Sequence, residues 1–127
     1  MRKLTVLTAL LAMAVALPAV APGKTNPGVT RTGLCSGAGA SWKLKAKHED
    51  GRIETEFEVD QNVMGRRWNV VIRRNGVVVF RGARITRPPS GSFSINRRIA
   101  NAAGRDRIVA TARAVAGGAV CRGAVTL

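Results

Sequence analysis

His48 is the sole histidine of this 127-residue chain, so any acid–base or nucleophilic chemistry would have to be built around it. Asp60 or Glu49, with a serine, would be the partners of a triad. Its place argues for a structural or merely exposed role: it closes an alternating run beside the Asp50-Gly51 turn, on the apolar side, facing Ile53. A lone histidine and two cysteines, Cys35 and Cys121, make no zinc pattern. Asp60-Gln61-Asn62 begins like a calcium loop but lacks the later glycine and glutamate, and reads as a turn. Gly37-Ala38-Gly39 and Gly117-Gly118 precede neither a Lys-Ser/Thr pair nor a helix, so no phosphate loop is implied. The expectation is a protein without catalytic residues, metal or cofactor. What remains in quantity is arginine, whose planar fork grips carboxylate and phosphate in pairs.

The arginines are unevenly placed. Residues 22–60 hold six basic and six acidic side chains and are neutral, whereas residues 61–127 hold 13 arginines, no lysine and one acid, Asp106. A GC-rich coding sequence accounts for choosing arginine over lysine, but not for the missing acids. Such a field attracts polyanions at low salt and releases them as salt rises. The doublets Arg66-Arg67, Arg73-Arg74 and Arg97-Arg98 read individually as solvated strand edges that discourage edge-to-edge pairing.

Residues 1–21 read as an export segment. Met1-Arg2-Lys3 is followed by the uncharged run Leu4 to Leu17 and the small residues Ala19-Val20-Ala21. The run falls short of the ~20 residues that a spanning helix needs. Removal is expected after Ala21, Ala19 or Ala16, leaving a secreted, extracellular chain with no transmembrane segment. In an oxidising compartment Cys35 and Cys121 are expected to form one disulfide, two free thiols being the other reading. Cys35 is no lipid anchor, because Thr32-Gly33-Leu34 does not spell a lipobox. Residues 22–33 read as a flexible lead-in and 34–127 as one domain.

That domain shows short alternating runs between turn residues, the pattern of an all-β sandwich or barrel. If Asp50-Gly51 closes the first hairpin, Lys47, Lys45 and Lys43 face Glu54, Glu56 and Glu58 on the wet side. Trp42, Leu44 and Ala46 then meet Val59, Phe57 and Thr55 on the other side. Asn75-Gly76 closes a second hairpin, in which an unbroken register sets Val71 against Phe80. Gly117-Gly118 closes a third, with Ile108 facing Leu127 and Ala114 facing Cys121. Its core side must hold Ile108, Ala110, Ala112 and Ala114, since the opposite choice buries Arg113 and Arg122 unpaired. The lone run around Phe93 and Ile95 brings the expected total to seven strands.

Hairpin, hairpin, lone strand, hairpin resembles the order of fibronectin type III and related immunoglobulin-like sandwiches. The stretch Gly104-Arg105-Asp106-Arg107-Ile108-Val109-Ala110-Thr111-Ala112, with Gly118 and Cys121 beyond it, looks like the last two strands of many bacterial immunoglobulin-like domains. The exported part is similar to small secreted single-domain proteins of actinomycetes. It departs from antibody-type domains in the placement of its cysteines and in having no tyrosine. The resemblance implies a seven-stranded antiparallel sandwich that binds or spaces and transfers no catalytic residue.

In such an arrangement the second and third hairpins share a sheet. Its outer face is expected to present Val71, Val78, Phe80, Val109 and Val120 within a rim of Arg73, Arg107, Arg113 and Arg122, unless the lead-in or another strand order covers it. An apolar centre with an arginine rim is what an interaction site looks like. The expected partner is an anionic cell-wall polymer or a protein, met by a monomer. Phe80 alone is left free to stack on a base, which makes a poor nucleic-acid platform. Two alternatives are a proteinase inhibitor offering Arg87-Pro88-Pro89-Ser90-Gly91, and a small-ligand carrier.

Overall fold

The computed structural model describes Ala14, Ala16 and residues 27–127. The export segment, its cleavage sites and residues 22–26 of the lead-in otherwise lie outside the described residues. There are eight strands: β1 (Val29–Leu34), β2 (Ser41–Glu49), β3 (Arg52–Asp60), β4 (Arg67–Arg74), β5 (Val77–Ile85), β6 (Ser92–Ala100), β7 (Arg107–Ala114) and β8 (Val120–Thr126). They form two four-stranded sheets of order β1-β2-β3-β6 and β5-β4-β7-β8, every pairing antiparallel. Among the described residues there is no helix.

The first hairpin takes the register its side chains demand. Lys47 pairs with Glu54, Lys45 with Glu56 and Lys43 with Glu58, while Leu44 pairs with Phe57. Leu44, Ala46, Ile53, Phe57 and Val59 are fully buried. On the wet side Lys47 lies 3.2 Å from Glu49 and 3.5 Å from Glu54, and Lys43 bridges diagonally to Glu56 at 3.7 Å. A slip of one residue would exchange these two sets of side chains between water and core.

The eighth strand is β1, which corrects the expected seven and begins inside the segment read as flexible lead-in. It lacks apolar alternation because it is an edge strand with mostly exposed side chains. Backbone pairing holds it to β2, from Val29 with Ala46 to Leu34 with Ser41. Gly33 allows the close approach: a Cβ there would stand 2.7 Å from the Trp42 ring. The chain then bonds across to the other sheet. Ser36 N–H donates to the Val120 carbonyl at 2.8 Å, and Cys35 is disulfide-bonded to Cys121 on β8.

Two registers differ from expectation. In the third hairpin Arg113 pairs with Val120 and Arg107 with Thr126, so the partners are displaced by two residues. Ala114 N–H still bonds the Ala119 carbonyl at 2.9 Å, which leaves a four-residue loop, Val115–Gly118, in place of a tight Gly-Gly turn. An even displacement keeps each face: Ile108, Ala110, Ala112 and Cys121 are buried as expected, and Gly123 admits Trp42. In the second hairpin the register breaks between Ile72 and Arg73. Beyond this bulge Ile72 pairs with Phe80 and Val71 with Arg81. The odd displacement swaps the faces of β5. Without it Arg81 would point into the core and Phe80 into water.

Between the sheets lies one core. At its centre Trp68 is fully buried, tilted 56° to Phe93 at 6.5 Å between ring centroids, and its indole N–H donates to Gln61 Oε1 at 3.0 Å.

Candidate functional site

The sheet β5-β4-β7-β8 turns Trp68, Val70, Ile72, Ile108, Ala110 and Ala112 inward. Alternation then sends Arg67, Asn69, Val71 and Arg73 of β4, and Arg107, Val109, Thr111 and Arg113 of β7, to the outer face. Cross-strand pairing arranges this face in rows. Arg81, Val71, Thr111 and Arg122 make one; Arg73, Val109 and Ala124 make the next, with Asn69, Arg113 and Val120 on the other side. Val71, Val109, Thr111, Val120 and Ala124 are half-buried, and six exposed arginines stand around them: Arg67, Arg73, Arg81, Arg107, Arg113 and Arg122. Part of the face is a shallow open depression of about 600 Å³, whose walls include Arg73, Arg107, Arg113 and Arg122.

The four arginines of the expected rim, together with Val71, Val109 and Val120, are thus brought to one surface. Phe80 is not. It is 8% exposed, on the core side, with the guanidinium of Arg97 at 4.6 Å and that of Arg84 at 5.3 Å from its ring centroid. The expected apolar centre therefore loses its aromatic, and Arg81 takes the position opposite Val71. Arg81 was missed because an unbroken hairpin register places it inside; a short run that is apolar throughout, Val77 to Phe80, carries no signal of which residue is bulged.

Among the described residues no carboxylate forms an ion pair with these cations. Asp106, the single acid of residues 61–127, is fully buried and its carboxyl oxygens have no hydrogen-bond partner. Fixed cations on a half-apolar plate, spaced by the ~4.8 Å between strands and the ~7 Å between alternate residues, can hold several phosphates or carboxylates of one chain at once.

The other sequence candidates stay apart. His48 pairs with Ile53 at one end of the first hairpin and Asp60 with Ser41 at the other, so these two are kept apart, while Glu49 is ion-paired with Lys47 at 3.2 Å. Asp60 instead accepts the Asn62 N–H at 3.1 Å in the expected turn. Among the described residues no group of three or more His, Cys, Asp or Glu is placed to hold a metal ion, and no helix is long and apolar enough to cross a membrane. The Arg87-Pro88-Pro89-Ser90-Gly91 loop closes on itself, Gly91 N–H donating to the Arg87 carbonyl at 2.9 Å. The doublet Arg97-Arg98 lies on the edge strand β6: Arg97 covers Phe80, and Arg98 reaches Asp50 and Glu54 at 3.7 and 3.9 Å. No protein-family model, curated protein or solved structure matches this chain.

Proposed function

We propose that this chain is a secreted, non-catalytic binding module of the immunoglobulin-like, fibronectin type III-like kind, which holds an anionic cell-envelope polymer or an acidic protein partner against the outer face of β5-β4-β7-β8. One observation carries the reading: six exposed arginines surround a half-buried apolar strip on one sheet face, and the acid nearest in sequence is buried away from it. The strand order adds support to the fold assignment, since the second and third hairpins lie side by side and β6 joins the sheet of the first. The disulfide and the apolar N-terminal segment support an extracellular location. A phosphate-bearing polymer suits the site better than a small anion, because arginines on four strands cannot all reach one compact group.

The test is retention on isolated cell envelope across a salt series. The wild type is retained at low salt and released as salt rises, with a steep log–log dependence. An Arg73→Ser/Arg113→Ser/Arg122→Ser variant elutes earlier and with a shallower slope; equal retention of that variant overturns the reading. Inhibition of a trypsin- or subtilisin-like protease would replace it with the inhibitor, and a co-purified chromophore with the carrier.

A further inference from the structure

A second surface, which shares only Arg67 with the arginine face, lies at one end of the molecule. There β1, β3, β5 and β7 finish and β2, β4, β6 and β8 begin. Of the seven large apolar side chains exposed among the described residues, five sit at this end: Leu34, Val63, Met64, Ile85 and Val115. The connecting segments 35–40, 61–66, 86–91 and 115–119 contain no acidic residue, and Arg66 and Arg87 lie in two of them, with Arg67 alongside.

Exposure here is enforced by the loop's bracing. Thr86, 1% exposed, donates from its hydroxyl to the Val63 carbonyl at 2.6 Å and accepts the Arg66 N–H at 2.9 Å. Its own backbone exchanges bonds with Gly65 and Arg66 at 2.8 Å each, and Gln61 N–H donates to the Gly91 carbonyl at 3.0 Å. Gly91 fits so closely under the loop that a Cβ would stand 2.4 Å from Val63 N. Val115 N–H is tied to the Arg67 carbonyl at 3.0 Å. Val63 and Met64 therefore project from a braced loop that gives them no inward position. Apolar side chains held out beside arginines, with a single carboxylate at the strand ends, Asp60, whose Oδ1 is taken up by the Asn62 N–H at 3.1 Å, are complementary to a bilayer: acyl chains accept the first and lipid phosphates the second.

We propose that this end docks on a bilayer containing anionic lipids, with Val63, Met64 and Val115 entering the headgroup boundary and Arg66, Arg67 and Arg87 meeting the phosphates. The site shares Arg67 with the arginine face, but none of the substitutions that test it falls on that face, so either can fail without the other.

The experiment uses the full chain with vesicles of phosphatidylglycerol and phosphatidylcholine in equal parts, and with phosphatidylcholine alone. The apolar run from Leu4 to Leu17 is common to every variant, so the differences between variants report on the loop end. A Met64→Trp variant should shift its emission to the blue on adding the anionic vesicles, and should keep the shift in an Arg73→Ser/Arg113→Ser/Arg122→Ser background. Met64→Ser/Val115→Ser should weaken co-sedimentation about tenfold, and Arg66→Ser/Arg87→Ser roughly 25-fold on the anionic vesicles only. The proposal is overturned if the tryptophan emission does not move, or if Met64→Ser/Val115→Ser sediments as the wild type does. A blue shift that grows with protein concentration without lipid would also overturn it, and would assign the end to contact between copies of this chain.

Discussion

Arg81 stands opposite Val71, and Phe80 opposite Ile72. This one displacement in the second hairpin decides the chemistry of two surfaces. It takes an aromatic ring out of the candidate binding face and puts a guanidinium there. It also sets Phe80 at the open edge between β5 and β6, where Arg97 from the facing sheet lies over its ring. Gly82 accommodates this: a Cβ there would stand 2.9 Å from the Phe80 ring.

Phe80 is accordingly a packing residue. Phe80→Ala is expected to destabilise the fold by about 3 kcal/mol, as truncation of a buried aromatic does, with part of the loss from Arg97 and Arg84, left without a ring to cover. Urea denaturation checks the size. Binding at the outer face should be unaltered in the folded fraction, and an envelope-retention defect without a stability loss would contradict the placement.

Trp42 is wedged between two glycines on strands of different sheets. A Cβ at Gly123 would lie 2.5 Å from its ring, and one at Gly33 2.7 Å. Gly123→Ala should therefore cost about 2 kcal/mol through overpacking. Combining it with Trp42→Leu should recover part of that loss, which a double-mutant cycle by thermal melting would show.

The disulfide closes a separation of 86 residues, which in the chain-entropy account is worth about 4.5 kcal/mol. A Cys35→Ala/Cys121→Ala variant should melt well below the oxidised protein and should no longer respond to reductant. Most of the loss should come with early release of β1, since the edge strand is otherwise held only by its ladder to β2 and the Ser36–Val120 hydrogen bonds; hydrogen exchange of Val29–Leu34 measures this.

Glu49 and Lys47 make stability depend on pH at both extremes. Glu49 is held below the ordinary carboxylate value, first by a hydrogen bond with Glu54 and then by hydrogen bonding and charge from Lys47. Its contribution is present above the unfolded carboxylate value and is lost as pH falls through the lower folded one. Lys47 is raised above 10.5, first by its hydrogen bond to Glu49, then by the charges of Glu49 and Glu54. Its contribution is complete below the unfolded value and is lost as pH rises through the folded one. Between about pH 6 and pH 3 the wild type should lose more stability than Glu49→Gln does, as read from urea midpoints. Equal losses would show that the pair contributes nothing.

Alternation along the chain determined the all-β class, the register of the first hairpin and the inner faces of the first and third hairpins and of β4, and composition the concentration of cations in the second half. These follow from a period of two and from turn residues at short range, where a wrong choice buries a charge. Lys45 against Glu56 and Ala110 against the core are of this kind. The tertiary structure alone decided the rest. β1 has too few apolar residues to announce a strand and exists because β2 offers a free edge and Cys121 a sulfur. The Val115–Gly118 loop moved its partners by two, a change to which a two-residue period is blind. The bulge at Ile72/Arg73 moved β5 by one, which no local pattern in Val77–Phe80 could reveal, because its benefit, burying Phe80 beneath Arg97 and freeing Arg81, is realised only when the second sheet is in place.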